Sequence, residues 1–303
     1  MDKKLEMHEL TLNTLMKYTM SHLMIIESIT DETEAYIESE LILSHIFEAE
    51  FIDLRIDFTK YIHIFDIKKL NRILIRRISG EPLAYIISVK YFWNQPFSVG
   101  YGVLIPRNET ELLVEYGILE IKKIMHDKNK INVVDVGTGS GAIIISIAKN
   151  IKKSSNINFF AIDNSEYALR FCRENVKKSF LDDKIDIISS NLLDELHVTP
   201  HLIFANLPYI DRDNMSNLQK EIRLAEPREA LDGGTDGIEL IVELLKQLSV
   251  SSNRSFCTIM LEIGIDQDKK LKHIINKIMP GFKLSFIHDY QEIKRIAVIR
   301  SRN

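Results

Sequence analysis

The sequence predicts an α/β protein with a doubly wound, mostly parallel seven-stranded sheet, a small N-terminal helical bundle and a β-hairpin linker between them. Two observations carry this prediction. Residues 4–78 contain no glycine or proline and place their apolar side chains at helical spacing. From residue 108 onward, short apolar runs alternate with amphipathic segments, a pattern typical of parallel sheets with helices on both faces.

Four helices are expected in the N-terminal region, which we take as a domain spanning residues 1–79. They lie near residues 5–27, 31–47, 48–60 and 66–78. Asp31 is a suitable N-cap, and Glu34 three residues later gives the second side chain of a capping-box pattern. Short helices with alternating apolar faces favour a bundle.

Residues 80–107 are expected to link the bundle to the rest of the chain. Gly80 and Pro82 end the helical pattern, and residues 91–105 are rich in aromatic and β-branched side chains. Two turn-forming stretches, residues 94–96 with Pro96 and residues 100–102, interrupt this segment, so it predicts a β-hairpin. Trp93 is expected to pack within that hairpin.

The remaining residues, 108–303, are expected to form the sheet domain. Its strands are predicted at 132–136, 158–162, 185–189, 202–205, 256–262, 282–286 and 295–299, and its helices near 109–125, 140–151, 165–179, 237–249 and 266–278. Residues 288–294 alone join the last two strands. Because so short a connection cannot form a parallel crossover, this pair is expected to be antiparallel.

The composition narrows the classes of protein that fit. A formal net charge of −4 is unlike the basic surface that grips nucleic-acid phosphates, so no stable nucleic-acid binding is expected. Cys172 and Cys257 cannot build a disulfide framework, and no Cys/His cluster has zinc spacing, so no metal is expected. The first ten residues lack the apolar core of a secretory signal, and no apolar run reaches the ~18 residues of a membrane span. A cytoplasmic protein without a membrane span is the prediction.

A glycine-rich turn follows the first predicted strand of the sheet and precedes a helix; its residues are Gly137, Thr138, Gly139, Ser140 and Gly141. Glycine allows a tight turn and a close approach of ligand to backbone, and the helix N-terminus offers free N–H groups. A nucleotide-like ligand is therefore favoured over a plain strand–helix turn. The spacing also fits the relaxed dinucleotide fingerprint, so NAD is not excluded.

Asp163 ends the second predicted strand of the sheet. An acid at this place can accept hydrogen bonds from both ribose hydroxyls of a nucleotide. The alternative is that Asp163, with Asn164, caps the following helix. NAD-dependent enzymes and methyltransferases share this acid, so Asp163 does not separate them.

Asn206, Leu207, Pro208 and Tyr209 follow the fourth predicted strand. The Asn206 side chain offers one carbonyl acceptor, and the Pro208 backbone carbonyl offers a second. Two such acceptors can hold a planar NH2 group, while Tyr209 supplies a flat ring to stack on it. An Asn-x-Pro turn is common by itself, but its place after a glycine-rich turn and Asp163 favours a site for chemistry on a planar amine or amide.

Several stretches of the chain resemble a known family. The glycine turn and Asp163 are similar to those of class I S-adenosylmethionine-dependent methyltransferases, which have a Rossmann-like fold, and residues 206–209 resemble their Asn-Pro-Pro-Tyr signature. More specifically, the chain resembles the protein-(glutamine-N5) methyltransferases of peptide chain release factors. The matching stretches are GEPLAYI (80–86), VLIPRNETE (103–111), ExRxxEPxxAL (221–231), GGxDG (233–237) and LEIG (261–264).

The resemblance implies S-adenosylmethionine as cofactor and a release factor as protein substrate, methylated on the side-chain amide nitrogen (N5) of the glutamine in its Gly-Gly-Gln motif. The cofactor-binding residues that it implies are Gly137, Thr138, Gly139, Ser140, Gly141, Asp163, Asn191, Leu192 and Asn206. The substrate-binding residues are Asn206, Leu207, Pro208 and Tyr209, and the catalytic ones are Asn206, Pro208 and Tyr209. No metal is required, the 1–79 domain would dock the release factor, and a monomer is expected.

The chain departs from the family's pattern at two positions and in one stretch. Leu207 stands in place of the first proline of the signature, and Asn108 replaces a proline in the stretch before the sheet. Residues 289–295 only loosely match the family's Asp-Leu-x-Gly-x-x-Arg. We expect the geometry of the site to survive, because the contacts that the resemblance implies come from the Asn206 amide and the Pro208 carbonyl.

Other functions fit parts of the pattern. The same signature serves methylation of the exocyclic amine of adenine in DNA or RNA, although the net charge counts against it. A relative that methylates a glutamine of a ribosomal protein is not excluded. An NAD-dependent reductase would keep the glycines and Asp163 but has no use for residues 206–209, and a non-catalytic binding module would not need both elements.

Overall fold

The computed structural model of the protein describes residues 11–56, 64–127, 130–151, 156–250 and 258–301. Its helices are α1 (Leu12–Leu23), α2 (Glu32–Phe47), α3 (Phe51–Ile56), α4 (Ile64–Ile78), α5 (Leu83–Ile86), α6 (Glu111–Asp127), α7 (Ala142–Asn150), α8 (Glu166–Lys178), α9 (Lys220–Ala225), α10 (Glu239–Val250) and α11 (Asp268–Ile278). Its strands are β1 (Val89–Phe92), β2 (Gln95–Ser98), β3 (Ile131–Val136), β4 (Ile157–Asp163), β5 (Ile185–Ser189), β6 (Leu202–Ala205), β7 (Thr258–Glu262), β8 (Phe282–His288) and β9 (Lys294–Ser301). Among the helices of these ranges, none is long and apolar enough to cross a lipid bilayer.

The chain divides into two compact units. The helical unit comprises Met1–Ser88 and Gln219–Ala225, and the sheet unit comprises Val89–Leu218 and Glu226–Asn303. Residues 219–225 lie within the predicted 108–303 domain by sequence, yet they pack with the N-terminal helices.

The helical unit contains the four predicted helices, as α1 to α4, and the short α5. Residues 5–10 and 57–60 of the predicted helices lie outside the described residues. The Asp31 carboxylate accepts a hydrogen bond from the Glu34 N–H at 2.9 Å, which confirms the predicted N-cap of α2. The core of this unit consists of side chains that are fully or almost fully buried, among them Leu15, Leu23, Ile42, Leu43, Leu54 and Leu70.

A buried cluster of charges fixes α9 within the helical unit. Arg77 of α4 is 3% exposed and donates to both carboxylate oxygens of Glu38, at 2.9 and 3.0 Å. Its Nη1 atom also lies 2.9 Å from Oε2 of Glu221 in α9, and Glu221 accepts a hydrogen bond from the Ser28 hydroxyl. Removing one partner of such a buried pair leaves a charge uncompensated, at a cost of ~3–5 kcal/mol. The cluster therefore holds residues 219–225 firmly against the N-terminal helices.

The predicted hairpin is confirmed as the antiparallel pair of β1 and β2. Its turn is the pair Trp93 and Asn94, both in the left-handed region with φ of 50° and 54°, as type I′ hairpin turns require. The Trp93 N–H donates to Glu111 at 2.8 Å, and its ring packs against the core of the sheet unit. Pro96, expected to interrupt the segment, instead pairs within β2, opposite Tyr91.

The main sheet has seven strands within the described part of the chain, in the order β5-β4-β3-β6-β7-β9-β8. Strands β3 to β7 are parallel, and β9 is antiparallel to both β7 and β8. Residues 256 and 257 of the fifth predicted strand lie outside the described residues. The mostly parallel seven-stranded sheet and its antiparallel last pair are both confirmed.

Helices cover both faces of this sheet. Val133 and Phe159 point into one core cluster, which includes residues of α6, α7 and α8, while their neighbours Val134 and Phe160 point into a second cluster with α10 and α11. Strands that are apolar on both faces are what a doubly wound parallel sheet requires, since neither face meets water. The predicted doubly wound architecture is therefore confirmed.

The strand order reverses beside β3, whose neighbours are β4 on one side and β6 on the other. In doubly wound sheets, ligands bind at the carboxyl ends of the strands next to such a reversal. Three predicted elements lie at those ends: the turn 137–141 after β3, Asp163 at the end of β4, and the loop 206–209 after β6. The topology thus brings together residues that are far apart in sequence.

Candidate functional site

A cavity opens at the carboxyl ends of β3, β4 and β6. It encloses about 1020 Å³, including space open to solvent, which is ample for a nucleoside-sized ligand. The predicted site residues that line it are Gly137, Thr138, Gly139, Ser140, Asp163, Asn191, Leu192, Asn206, Leu207 and Pro208. Gly141 and Tyr209 are not among its lining residues. Elsewhere in the described ranges, no group of three or more His, Cys, Asp or Glu side chains is arranged to hold a metal ion.

The glycine turn is shaped by close contacts behind the cavity wall. Gly137 has φ of 71°, and a Cβ atom there would lie 3.0 Å from Cδ2 of Leu207. Gly141 has φ of 81° and forms the N-cap of α7, where a Cβ atom would lie 2.8 Å from Cδ1 of Ile145. Any side chain at either position would therefore be both strained and crowded. Gly141 faces the core behind the turn, which explains why it does not line the cavity.

Asp163 supports the glycine turn from the neighbouring strand. Its Oδ2 accepts from the Gly139 N–H and its Oδ1 from the Ser165 N–H, both at 2.9 Å. Burial raises the pKa of this carboxyl, while these backbone hydrogen bonds oppose the shift. Ser165, and not Asp163, provides the N-cap of α8. Because each carboxylate oxygen has a second lone pair, Asp163 can still accept from a ligand hydroxyl in the cavity.

Asp135 is a residue of the site region that the sequence analysis leaves without a role. It is fully buried in β3, where its Oδ2 accepts from the Thr138 hydroxyl at 2.7 Å. Its Oδ1 has no hydrogen-bond partner among the described residues. Burial raises its pKa to about 7, although the Thr138 hydrogen bond opposes that shift. Asp135 thus fixes Thr138, at the start of the turn, from inside the sheet.

Asn206 presents one end of its amide to the protein and the other to the cavity. Its Nδ2 donates to Oγ1 of Thr110 at 3.0 Å, and Thr110 is buried beside the cavity. Neither Oδ1 of Asn206 nor the backbone carbonyl of Pro208 accepts a hydrogen bond from the described residues. Asn206 and Pro208 both line the cavity, so two residues of its lining, within three positions of the chain, each carry an acceptor that no described residue occupies.

The loop that carries these acceptors is held by a glycine-rich segment. Ile210 exchanges backbone hydrogen bonds with this segment, since its N–H donates to Leu231 and its carbonyl accepts from Gly233. A Cβ atom at Gly233 would lie 2.7 Å from the Pro208 carbonyl oxygen, far inside van der Waals contact. Gly233 therefore leaves room for the Pro208 carbonyl.

Gln267 fixes the same loop from a third direction. Its Nε2 donates to the backbone carbonyls of Tyr209 and Gly237, each at 2.9 Å, and its Oε1 accepts from the Gly264 N–H at 2.8 Å. With these three hydrogen bonds, the buried amide of Gln267 links backbone groups of three separate segments. No sequence pattern indicated a role for Gln267, whereas Gly237 and Gly264 belong to the matched GGxDG and LEIG stretches.

Tyr209 is held by a buried carboxylate. Its hydroxyl lies 3.3 Å from Oε1 of Glu262, which is 3% exposed. Burial raises the pKa of Glu262 to about 7, and the Thr110 and Tyr209 hydroxyls oppose that shift. Burial and the charge of Glu262 raise the pKa of Tyr209 above its usual range, so the phenol stays neutral. The predicted stacking role of Tyr209 stays a prediction, since its ring does not line the cavity.

The remaining predicted residues occupy the rim and one wall of the cavity. Asn191 is exposed and donates to Asp194 at 3.4 Å, while Leu192 is buried in the second core cluster. Leu207, the departure from the family signature, is 4% exposed and packs in the same cluster. Its side chain thus has a packing role that the sequence did not indicate.

Glu226 is a further buried acid for which the sequence analysis predicted no role. Glu226 accepts from the Ile105 N–H at 3.1 Å and pairs with Arg107, whose side chain lines the cavity. This pair ties the VLIPRNETE stretch to the ExRxxEPxxAL stretch, at the residue where the chain re-enters the sheet unit. Both stretches carried the family resemblance, but their sequences did not show that they meet.

Comparisons with known proteins agree with this architecture. Residues 127–224 match a family described as "Methyltransferase domain", and residues 27–87 match one described as "PrmC N-terminal domain". The hMettl16 catalytic domain, solved in complex with MAT2A 3′UTR hairpin 6, is similar with a TM-score of 0.53 over 78% of this chain and 81% of that one. At 12% sequence identity, this likeness shows the fold alone.

Two relatives are similar over most of the chain. The release factor glutamine methyltransferase of Thermodesulfovibrio yellowstonii is 35% identical over 235 residues, which cover 76% of this chain and 80% of that one. The protein of the same name from Dictyoglomus turgidum is 36% identical over 234 residues, covering 76% and 79%. With this identity over most of both sequences, the chain belongs to the release factor glutamine methyltransferase family.

Proposed function

We propose that this protein transfers a methyl group from S-adenosylmethionine to the side-chain amide nitrogen (N5) of the glutamine in the Gly-Gly-Gln motif of peptide chain release factors. One observation of the site supports this above the others. Asn206 and Pro208 both line the cavity, and neither the Asn206 Oδ1 nor the Pro208 carbonyl oxygen accepts a hydrogen bond from a described residue, which suits the two N–H groups of a primary amide. Membership of the family supports the same reaction.

The cavity fits S-adenosylmethionine by the chemistry of its walls. A Cβ atom at Gly139 would find nothing nearer than Val103 at 3.9 Å, so the turn leaves space for a ligand against its backbone. Asp163 offers carboxylate oxygens for the ribose hydroxyls, and Leu192 offers an apolar surface for the adenine. When bound, S-adenosylmethionine supplies an electrophilic methyl group on a positively charged sulfur.

The protein's own contribution is to position and activate a poor nucleophile. The lone pair of an amide nitrogen is delocalised into its carbonyl group, so the nitrogen attacks slowly unless it becomes more pyramidal. Hydrogen bonds from both N–H groups to Asn206 Oδ1 and Pro208 O fix the nitrogen and favour that change. The Tyr209 phenol is neutral, and its pKa is raised further above the ordinary value, so it adds no charge that would compete for the amide.

We assign the N-terminal helices, residues 1–79, to docking of the release factor, the hairpin segment 80–107 to a linker, and residues 108–303 to catalysis. The match of residues 27–87 to the PrmC N-terminal domain supports the first of these assignments. Release factors act in translation termination on the ribosome, so we place the protein in the cytoplasm with its substrate. We expect it to act as a monomer.

Labelled S-adenosylmethionine tests the proposal. The protein is incubated with release factor, with release factor whose Gly-Gly-Gln glutamine is replaced by alanine, with ribosomal protein, and with DNA and RNA. We expect label in the intact release factor alone. Label in nucleic acid or ribosomal protein, and none in the release factor, would reject the proposed substrate.

A further inference from the structure

The side-chain amide of Asn206 can present either of its ends to a substrate. With Oδ1 toward the cavity it accepts a hydrogen bond, as a primary amide of the substrate requires. With Nδ2 toward the cavity it would place donor against donor, and the pair would repel. The rate of the reaction therefore depends on which end faces the cavity, and that choice is made by the residue on the protein side of the amide.

Thr110 is that residue, because its Oγ1 accepts from Nδ2 of Asn206 at 3.0 Å. It closes the short 3-10 turn before α6 and is 4% exposed, so water does not compete for its hydroxyl. A threonine hydroxyl has one proton and two lone pairs. It holds Asn206 in the productive orientation only while its own proton points elsewhere.

Glu262 offers the place for that proton. Its carboxyl group is buried, and hydrogen bonding by the Thr110 side chain opposes the rise of its pKa. Oε1 of Glu262 is taken by the Tyr209 hydroxyl, while Oε2 has no hydrogen-bond partner among the residues described. Above pH about 7 this carboxyl group is ionised and only accepts, so it favours the Thr110 proton pointing away from Asn206 and leaves a Thr110 lone pair for the Asn206 amide.

We propose that Thr110 is a positioning residue that holds the Asn206 amide so that its carbonyl oxygen faces the substrate glutamine. This inference rests on the proposed function, since it concerns the same methyl transfer. Thr110 does not touch the reacting atoms in this account. It acts through Asn206 alone, and this property makes the inference testable.

The test compares variants of Thr110 in the full-length protein by steady-state kinetics of methyl transfer to a release factor. Thr110→Val keeps the shape and removes the hydroxyl, and Thr110→Ser keeps the hydroxyl and removes the methyl group. We expect Thr110→Val to lower kcat by about tenfold to a hundredfold, with less than a threefold change in KM, since the lost bond matters most in the transition state. Thr110→Ser should recover most of the rate.

A double-mutant cycle with Asn206→Ala separates positioning from other roles. If Thr110 acts only through the amide, the Asn206→Ala, Thr110→Val double variant is no slower than Asn206→Ala alone. A further tenfold loss in the double variant would show an independent role and overturn the inference. Equal losses in Thr110→Val and Thr110→Ser would assign the effect to shape and overturn it as well.

Two controls keep the outcome distinct from misfolding and from failure of the proposed function. Affinity for S-adenosylhomocysteine, measured by calorimetry, and the melting temperature should stay near the parental values in each variant, and Thr110→Ala serves as the hydroxyl-free variant if Thr110→Val does not fold. No transfer by the parental protein would reject the proposed function. Parental transfer with an unchanged rate in the hydroxyl-free variant would reject only the inference about Thr110.

Discussion

The turn after β3 and the loop after β6 meet at one cavity, but contacts of different range hold them in shape. In the turn, the Thr138 hydroxyl bonds to Asp135 only three residues earlier. In the loop, the Asn206 amide bonds to Thr110, which lies 96 residues earlier. The turn thus takes part of its support from its own segment, in addition to Asp163 on β4, whereas the Asn206 amide of the loop is held from a distant part of the sheet unit. A local sequence pattern can therefore identify the turn, whereas the conformation of the loop cannot be predicted without the tertiary structure.

The loop has the larger number of distant supports, and Gly233 is the one with the least tolerance. Its added Cβ atom would lie 2.7 Å from the Pro208 carbonyl oxygen, and its φ is not in the left-handed region, so the effect of Gly233→Ala is steric. Displacing a substrate-positioning group by about 1 Å can cost ~100-fold in rate. We expect Gly233→Ala to lower kcat/KM for release factor by at least that factor, measured by methyl transfer, with little change in cofactor affinity.

Gly281→Ala is the matched control for that variant. No atom lies within 4 Å of a Cβ atom at Gly281, and this glycine too lies outside the left-handed region. The same added methyl group should leave transfer and stability near their parental values. A parental rate in Gly233→Ala would show that the loop adapts to the added methyl group, and would contradict the steric role assigned to Gly233.

Glu262, which accepts a hydrogen bond from Tyr209 of the loop, is expected to make the free energy of unfolding depend on pH. The groups that face its carboxyl are the Thr110 and Tyr209 hydroxyls and the charges of Glu109 and Arg295, and burial raises its pKa from 4.5 to about 7. Between these two values the folded protein binds the proton that the unfolded chain has lost, so the free energy of unfolding falls as pH rises. At 1.36 kcal/mol per unit, this group contributes a loss on the order of 2–3 kcal/mol between pH 4.5 and pH 8.

Denaturant unfolding at several pH values checks this sign. Glu262→Gln cannot ionise, so its stability should fall less than that of the parent between pH 5 and pH 8. Asp135, whose pKa burial also raises to about 7, gives the corresponding variant in the turn, and Asp135→Asn should flatten the profile separately. Parallel profiles for the parent and Glu262→Gln would mean that Glu262 ionises in the folded protein as it does in water.

The sequence predicted the fold and the neighbourhood of the site well, because both depend on patterns that repeat or lie close in the chain. Apolar strands separated by amphipathic helices indicate a doubly wound sheet, and its topology then places Asp163 and Asn206 at one crevice. Residues such as Gln267 could not be predicted, since its partners are the backbone carbonyls of Tyr209 and Gly237, 58 and 30 residues earlier. No local pattern marks a side chain that supports a distant backbone.

Leu207 shows the same limit from the opposite direction. From the sequence, we expected no side-chain contact from this leucine, which stands in place of the family's proline. In the structure, its side chain is buried and lies where a Cβ atom on Gly137 would meet it. The turn and the loop thus touch through a residue whose packing depends on both, and only the folded protein shows it.

Asp163 tests the turn in the way that Gly233 tests the loop. Asp163→Ala removes the acceptor for the Gly139 N–H and the acceptors proposed for the ribose hydroxyls. We expect S-adenosylhomocysteine to bind more weakly by about 1–2 kcal/mol, measured by calorimetry, with a smaller change in kcat at saturating cofactor. Asp186→Ala, at an exposed acid of β5, is the matched control and should bind normally. Equal affinities in all three proteins would show that Asp163 supports only the backbone.

The turn between β8 and β9 gives the smallest effect, and it tests whether local specification holds where the sequence departs from its family. Asp289 accepts from the N–H groups of Gln291 and Ile293 and from the Arg295 side chain, so the two ends of the loosely matched motif are in contact.

Glu292 occupies the family's glycine position and has φ of 60°. Left-handed backbone costs a non-glycine residue ~1–2 kcal/mol, partly offset in a glycine variant by the greater freedom of its unfolded chain. Glu292→Gly should therefore raise the free energy of unfolding by about 0.5 kcal/mol, whereas Gln291→Gly, at an exposed neighbour without this strain, should lower it. If both variants lose stability in denaturant unfolding, the family's glycine is not required by the backbone of this turn, and local sequence specifies it less closely than it specifies the turn after β3.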